Sequence, residues 1–327
     1  MTRIRKPMMV PSTSSPPGSP REPSGTSGAP CPSRLVGTTS PTRARLCIVL
    51  AALLWSTSGA FTKILREDTR FGLNSPSIDP LSIAFWRVVF AAGVFLPMVR
   101  PSELTFRPAL WLTGLVFALM NALFVSAMAL GSSANAILLQ YTAPMWVYVI
   151  CVGVLGEAAD RRGTVTLIIG LVGIAILLAG GWAGSQLPVV ALAAGSGLAY
   201  AAVMIGLRVQ RGVSSRWLTT FNHLFSAVVL APFVWHHPLP SWPQFAVLFV
   251  YGAVQMSLPY WLLAVGLRRL GPQEVGTLTL IEPVLNPLWA YLVSPATETP
   301  TVWTLAGGAC IIGALVWRYW PMSKKAA

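Results

Sequence analysis

The sequence predicts an all-α integral membrane protein of ten transmembrane helices, arranged as two inverted repeats of five helices each. Of the 327 residues, 54% are hydrophobic and only 10% are charged, whereas about 25% of the residues of a soluble domain are charged. Apolar segments recur at about the 20-residue length that a ~30 Å hydrocarbon core requires. A weak internal similarity between the two halves of the chain indicates the repeat.

Ten apolar segments with short polar breaks follow the first 45 residues. They cover residues 46–65, 80–99, 108–130, 133–154, 163–182, 187–207, 217–235, 244–267, 271–293 and 301–320. Little chain remains between these segments, so no soluble domain is predicted there. We therefore expect an N-terminal tail over residues 1–42, a first repeat over 43–182, a second repeat over 183–321 and a C-terminal end over 322–327.

The N-terminal tail is predicted to be disordered. Residues 1–42 hold nine prolines, many Ser, Gly and Thr residues, and Glu22 as the one acidic residue. Such a composition buries too little apolar surface to fold. No short apolar core with a cleavage site precedes the first span, which argues against a secretory signal. An Arg- and Ser-rich leader that is poor in acidic residues is also typical of an organelle transit peptide, and this alternative stays open.

The basic residues predict the orientation of the chain. The formal net charge is +13, but the Lys and Arg residues lie between apolar segments rather than on one folded face, so no nucleic-acid partner is expected. Nineteen of the 23 lie before the first span, in the even-numbered loops or at the C-terminus from Arg318 onward. Since cytoplasmic loops carry the Lys and Arg excess, both termini are expected on the cytoplasmic side of the plasma membrane.

The cysteines and histidines predict neither a disulfide framework nor a metal site, and no cofactor is expected. Cys31, Cys47, Cys151 and Cys310 are widely separated and form no C-x-x-C pair, which is the spacing that zinc sites and redox motifs use. The three histidines are likewise not interpreted as ligands: His223 lies in the seventh span, and His236 and His237 lie in a loop.

An internal repeat relates the two halves of the chain. A shift of 139 residues aligns residues 127–148 with residues 266–287 and places Pro144 on Pro283. Both prolines lie about halfway along their spans, the fourth and the ninth. Because five spans is an odd number, the two copies run in opposite directions, as in the inverted repeats of many transporters. Chance matching between apolar sequences is the alternative.

Four stretches resemble a known family: LLWSTSGAFTK in the first span, FWRVVFAAGVFLP in the second, LLQYTAPMWVYVICVGVLGE in the fourth and LIEPVLNPLWAYL in the ninth. Their order and spacing are similar to those of the drug/metabolite transporter superfamily, and within it of the ten-helix EamA-type proteins. The resemblance covers residues 45–320. It implies transport of small metabolites such as amino acids or nucleobases across the cytoplasmic membrane, in many members as export.

One departure from the family concerns the end of the ninth span. The first half has the usual Gly156 and Glu157, whereas the second half reads SPATE at the matching place. Either Glu298 replaces the missing glutamate, or the loop has drifted.

Glu282 is the first candidate site residue. It lies about 16 Å into its span, where a carboxylate costs roughly 2.5–3.5 kcal/mol unless it faces protein or water. Thr279, Glu282 and Asn286 share one helical face, which predicts a helix lining a cavity. Pro283 and Pro287 have no N–H to donate, so carbonyls such as that of Thr279 need other donors. Glu282 then binds substrate or a proton, or it satisfies local groups only.

Further polar residues lie within the spans. Arg87, about 10 Å deep, neutralises a substrate carboxylate or anchors helices together. Lys63 ends the first span, where snorkelling to the interface competes with a functional role. The remaining candidates for a polar cavity are Trp55, Asn121, Gln140, Tyr141, Tyr200, Gln255 and Tyr260. Helix bends that act as gates are expected at Pro144, Pro283 and Pro287.

Glycines in the last span of each half are expected to have a structural role. Small residues let helix backbones approach closely, so these glycines pack the two halves together or form a dimer face, and the protein is a monomer or a homodimer. The residues are Gly170, Gly173, Gly307, Gly308 and Gly313.

The sequence as a whole predicts a transporter that works by alternating access, as an exporter of amino-acid-like or related polar and amphoteric solutes, with protons as a candidate coupling ion. An intramembrane enzyme is the first alternative, but no Asp and only one His lie within the spans, which leaves no catalytic constellation. A scaffold without transport is the second alternative, and it would need no central polar stripe.

Overall fold

A computed structural model describes residues 40–183, 186–210, 212–266, 269–270 and 272–320. The predicted tail lies outside these residues apart from its last three positions, and the C-terminal end over 322–327 also lies outside them. All regular elements of the described part are helices. The all-α fold class is therefore confirmed for this part of the chain.

The first half of the chain contains seven α-helices: α1 (Pro41–Trp55), α2 (Ser58–Arg66), α3 (Pro80–Phe95), α4 (Pro108–Leu130), α5 (Ser133–Gln140), α6 (Ala143–Gly153) and α7 (Arg161–Ala183). Two short 3₁₀ turns follow α3, at Leu96–Met98 and Pro101–Glu103. Proline starts several of these helices because the first turn requires no backbone N–H donor.

The second half contains eight α-helices: α8 (Leu187–Val209), α9 (Ser215–Val234), α10 (Trp242–Phe249), α11 (Leu258–Gly266), α12 (Pro272–Thr279), α13 (Ile281–Val293), α14 (Pro295–Glu298) and α15 (Val302–Tyr319). A π-helical segment, Val250–Ser257, joins α10 to α11. Thr301 caps α15, since its hydroxyl accepts the backbone N–H of Thr304.

Nine helical segments of the described chain are long and apolar enough to cross a membrane. The outward-facing side chains fit this environment, because exposed positions on α4 and α7 include Leu112, Leu115, Ile168 and Val172. The predicted ninth span, 271–293, is not among the nine segments. Its polar residues, such as Glu282, lower its hydropathy, and it is present as the pair α12 and α13. The count of ten transmembrane helices stays a prediction.

Three segments are interrupted between two helices. The interruptions lie at Ser56 and Thr57, between α1 and α2, at Tyr141 and Thr142, between α5 and α6, and at Leu280, between α12 and α13. The first of these is not among the predicted bends, although the polar run STSG marks it in the sequence.

The three prolines at which bends are predicted occupy different places in their helices. Pro144 and Pro283 lie in the first turns of α6 and α13, so each begins a new helix instead of bending a continuous one, because first-turn residues need no N–H donor. Pro287 lies inside α13, which continues through it without interruption. A continuous helix can still bend at a proline, so the bend expected at Pro287 stays a prediction.

The last helices of the two halves, α7 and α15, pack closely through glycines. A Cβ atom on Gly173 would lie 2.8 Å from the carbonyl oxygen of Gly307 and 2.8 Å from Ile311 Cγ1. A Cβ atom on Gly307 would lie 2.7 Å from Leu177 Cγ. Of the two roles expected for the glycines, packing of the halves is the one that these two perform. Gly313 faces open space.

We predict that Gly173→Ala lowers the stability of the protein by about 1–3 kcal/mol, the usual cost of overpacking a tight contact. The matched control is Gly313→Ala on α15, where the added methyl meets nothing within 4 Å. Thermal unfolding of both variants in detergent measures the difference. Equal melting temperatures for the two variants would contradict the close packing of α7 on α15.

Candidate functional site

A cavity of about 680 Å³ lies where the three interrupted segments meet. Residues from both halves of the chain line it. Ten of the twelve predicted substrate-binding residues are among them: Trp55, Arg87, Asn121, Gln140, Tyr141, Tyr200, Gln255, Tyr260, Thr279 and Glu282. A volume of this size suits a small molecule.

Glu282 lies at the start of α13 and is held by the interruption of the fourth span. The hydroxyl oxygen of Tyr141 is 2.7 Å from Glu282 Oε2 and 3.1 Å from the carbonyl oxygen of Thr279. Its one proton therefore serves two acceptors. The Thr279 carbonyl is the one that Pro283 leaves without a backbone donor, and the expectation that it meets a polar side chain is confirmed.

Arg87 is a buried cation of the cavity wall. Its side chain is 6% exposed, and Nη1 donates to the hydroxyl of Tyr251 over 3.0 Å, while the guanidinium carbon lies 4.8 Å from the centre of the Tyr251 ring. Tyr251 in turn contacts the hydroxyl of Thr62 at 3.1 Å. Among the described residues, Arg87 forms no ion pair with a carboxylate, and its Nε donates to no protein group.

Two amide side chains, those of Asn121 and Gln255, belong to the cavity wall. Asn121 donates to the carbonyl oxygen of Ala84 at 3.0 Å, and Gln255 donates to the carbonyl oxygen of Trp55 at 2.9 Å. Both side-chain oxygens are buried and accept no hydrogen bond from the described protein. The Trp55 carbonyl borders the interruption between α1 and α2, so Gln255 satisfies the backbone there.

Aromatic rings form the apolar part of the wall. Trp55 and Tyr260 meet edge to face with ring centres 5.4 Å apart, and Tyr200 and Tyr319 also line the cavity. His223 lies behind this wall: its ring centre is 5.8 Å from that of Tyr260, and its Nδ1 is 2.7 Å from the carbonyl oxygen of Thr219. A carbonyl only accepts hydrogen bonds, so Nδ1 carries the proton.

The cavity reaches solvent at one end of the helix bundle, which we call the basic end, defined by Arg45, Arg162 and Arg318. Arg162 and Arg318 line the cavity there. Arg318 pairs with Asp160 at 2.8 Å. The backbone N–H of Gly163 and then the guanidinium of Arg318 hold the pKa of Asp160 below its usual value. Arg162 and the Arg318–Asp160 pair therefore lie at the cavity entrance.

Two predicted site residues lie away from the cavity lining. Asn286 donates to the hydroxyl of Ser58 at 2.7 Å, so it packs α13 against α2. Lys63 does not snorkel to the membrane interface: its side chain is 2% exposed, and Nζ lies 2.9 Å from Glu298 Oε1. The predicted polar stripe is thus divided, with Thr279 and Glu282 facing the cavity and Asn286 facing α2.

The partners of two predicted site residues were not predicted from the sequence. Tyr251 is the partner of Arg87, and Glu298 is the partner of Lys63. Tyr251 precedes Gln255 by four residues, and this spacing on one helical face was an available signal. Glu298 in the SPATE stretch is buried and paired, which favours replacement of the family glutamate over drift of the loop. No local signal pairs it with Lys63.

Comparison with known proteins identifies the family. A model of the EamA-like transporter family matches residues 42–179 and again residues 187–320. The chain belongs to this family. It is therefore a member of a family of membrane transporters rather than of enzymes, built from two repeats. The exact domain boundaries that the sequence suggests stay a prediction.

A solved structure has the same fold. It is described only as a crystal structure of a protein, and it matches 85% of this chain and 98% of its own chain, with a TM-score of 0.59 and 19% sequence identity. At that identity the likeness shows the fold alone. No curated protein matches the EamA-like chain.

We predict that Tyr141→Phe destabilises the protein by about 1 kcal/mol, since the Thr279 carbonyl and Glu282 lose a shared donor inside the bundle. Tyr148→Phe is the control, because the Tyr148 hydroxyl contacts exposed groups, Thr164 Oγ1 and the Asp160 carbonyl oxygen. Melting temperatures in detergent test this. If Tyr141→Phe melts no lower than Tyr148→Phe, the hydroxyl does not bridge the two interruptions.

Proposed function

We propose that this EamA-like protein exports small amphoteric solutes, such as amino-acid-like compounds, across the cytoplasmic membrane by alternating access. The observation that carries the proposal is one cavity, lined by both repeats, that contains Glu282 and Arg87 without an ion pair between them. An anion and a cation that do not neutralise each other are complementary to a solute that carries both charges.

The energetics of the membrane interior support a functional role for both charges. A carboxylate or guanidinium at the centre of a membrane helix costs roughly 2.5–3.5 kcal/mol on insertion scales, and such residues commonly mark transport pathways. Glu282 receives one hydrogen bond from Tyr141, and Arg87 gives one to Tyr251. A packing role alone would favour direct pairing of the two charges.

Each end of the solute finds suitable partners. Arg87 lines the cavity and forms no ion pair among the described residues, and a guanidinium that offers parallel N–H groups binds carboxylates in a bidentate manner. Glu282, which also lines the cavity, would accept hydrogen bonds from an ammonium group. The rings of Trp55 and the tyrosines would enclose the rest of a solute. A scaffold protein would have no use for this arrangement.

The direction of transport rests on the predicted orientation. If the basic end faces the cytoplasm, as the distribution of Lys and Arg predicts, the cavity accepts solute from the cytoplasm, and release requires opening at the opposite end. Glu282 is the candidate site for a coupled proton, because it is the carboxylate that lines the cavity. Alternating exposure of a site between two repeats is the general mode of inverted-repeat transporters.

We predict that Glu282→Gln reduces solute flux by about tenfold or more, since it removes the charge while keeping the size of the side chain. Metabolite profiling of cells with and without the protein identifies the solute, and flux is then measured in membrane vesicles. The control is Glu274→Gln, which removes an exposed carboxylate of the same segment. Unaltered flux in a correctly folded Glu282→Gln protein would show that the carboxylate has no role in the mechanism. Identical metabolite profiles of cells with and without the protein would contradict the proposed transport function.

We predict that Arg87 recognises the carboxylate of the solute. In the wild-type protein, the carboxamide analogue of the identified solute should bind about tenfold or more weakly than the solute, because a charged pair is lost. In Arg87→Gln the two compounds should bind about equally. Thermal-shift titration of the purified proteins with both compounds measures this. An undiminished preference for the carboxylate in Arg87→Gln would assign Arg87 to helix anchoring alone.

A further inference from the structure

We propose that the buried ion pair between Lys63 and Glu298 is a latch that keeps the cavity closed at the end opposite the basic end. It rests on the alternating-access function proposed above. The latch joins the first repeat, through α2, to the second repeat, through α14, and opens when the cavity is exposed to the other side of the membrane.

Lys63 is fully engaged in this state. Its side chain is 2% exposed, and Nζ lies 2.9 Å from Glu298 Oε1, 2.8 Å from the carbonyl oxygen of Gly131 and 3.4 Å from Glu67 Oε1. An ammonium group has three N–H donors, so each one has an acceptor. This arrangement compensates the desolvation of the charge, which otherwise disfavours burial.

The carboxylate of Glu298 likewise has several hydrogen-bond partners. Its side chain is 0% exposed, and its two oxygens accept the backbone N–H of Ser133 at 3.1 and 3.0 Å, while Oε1 also accepts the Ser133 hydroxyl at 3.3 Å. Ser133 is the first residue of α5, and the N-terminus of a helix favours a negative charge. The carboxylate thus ties α14 to both α2 and α5.

Two of the three helices that meet at the latch, α2 and α5, also reach the cavity. In α2, Ser58 lines the cavity and Lys63 lies at the latch; in α5, Gln140 lines the cavity and Ser133 lies at the latch. The eight residues of α5 span about 12 Å. Each helix is separated from the rest of its span by an interruption, at Ser56 and Thr57 or at Tyr141 and Thr142. These two short helices can therefore move as units against the remaining bundle.

Hydrogen bonds connect the charges of the cavity to the latch. Arg87 donates to Tyr251, which contacts Thr62, the residue next to Lys63 in α2. On the other side, Asn286 lies one turn after Glu282 in α13 and donates to Ser58 in α2. A solute that engages Arg87 and Glu282 thus acts on α2 through Tyr251 and through Asn286. By this route, binding of the solute changes the stability of the latch.

The burial of the pair is what makes it a latch rather than a surface contact. Removing one partner of a buried pair leaves an uncompensated charge, which is strongly unfavourable in the closed state but not in a state where water reaches the charge. Removing one partner therefore destabilises the closed state and not the state in which water reaches the charge. The Arg45–Glu274 pair also joins the first repeat to the second, but its side chains are 57% and 40% exposed, and exposed pairs contribute little.

A cysteine-labelling experiment tests the latch without requiring a known solute. The four cysteines are replaced by alanine, and Met120, an apolar residue of the cavity wall, is replaced by cysteine. A small membrane-impermeant thiol reagent is added to vesicles of either orientation. In the parent protein, labelling should be fast from the basic end and slow from the opposite end.

Lys63→Met and Glu298→Gln should each increase the rate of labelling from the opposite end by about tenfold or more. The matched control, Arg45→Gln, should leave both rates unchanged. The double variant Lys63→Met/Glu298→Leu removes both charges, and because apolar replacements of buried pairs are commonly tolerated, it should fold and label more slowly from the opposite end than Lys63→Met does. Monodisperse behaviour in detergent verifies folding.

The outcomes separate the two proposals. If folded Lys63→Met and Glu298→Gln proteins label from the opposite end as slowly as the parent, the pair is no latch, whatever solute is transported. If the latch variants open the opposite end but no metabolite changes in cells, the latch stands and the proposed transport function fails. Exchanging the charges, Lys63→Glu with Glu298→Lys, should not restore slow labelling, because the Gly131 carbonyl and the Ser133 N–H would then face charges of the wrong sign.

Discussion

The absence of water from the hydrocarbon core is the constraint on which the rest of this structure depends. Every backbone carbonyl that a helix interruption frees must find a donor within the protein. The side chains next to the interruptions supply such donors: the hydroxyls of Ser56, Thr57 and Thr142 donate to carbonyl oxygens three residues earlier. Tyr141 and Gln255 do so across the bundle, to Thr279 and Trp55. The interruptions are therefore stable features of the closed bundle rather than defects.

The same side chains that satisfy the backbone also build the cavity. Tyr141 serves the Thr279 carbonyl and Glu282 with one hydroxyl, and Gln255 gives its N–H to the Trp55 carbonyl while its oxygen remains free. A polar group that solvates a helix interruption lies at mid-depth in the membrane by necessity. A binding site for a polar solute needs polar groups at that same depth, so the interruptions and the site arise from one arrangement of residues.

The sequence was informative where the signal is local. An intramembrane carboxylate beside a proline, Glu282 and Pro283, indicates an interrupted helix and a cavity because both effects act within one turn. The Lys63–Glu298 pair joins residues 235 positions apart, and neither residue carries a local sign of its partner. Lys63 alone fits snorkelling at a helix end equally well, and only its buried contact with Glu298 in the folded chain decides between the two interpretations.

The two repeats share the interruption but not the chemistry around it. The 139-residue shift places Pro144 on Pro283, Ala143 on Glu282 and Tyr141 on Leu280. The hydroxyl of Tyr141 from one repeat meets the carboxylate of Glu282 from the other, whereas the matching positions, Ala143 and Leu280, are both apolar and buried. A second carboxylate at residue 143 would add a like charge to the same low-dielectric region, and like charges that share a site disfavour joint ionisation. Divergence of the repeats therefore leaves Glu282 as the one carboxylate among the described lining residues, with Arg87 as a buried counterpart, and gives a two-repeat scaffold an asymmetric site.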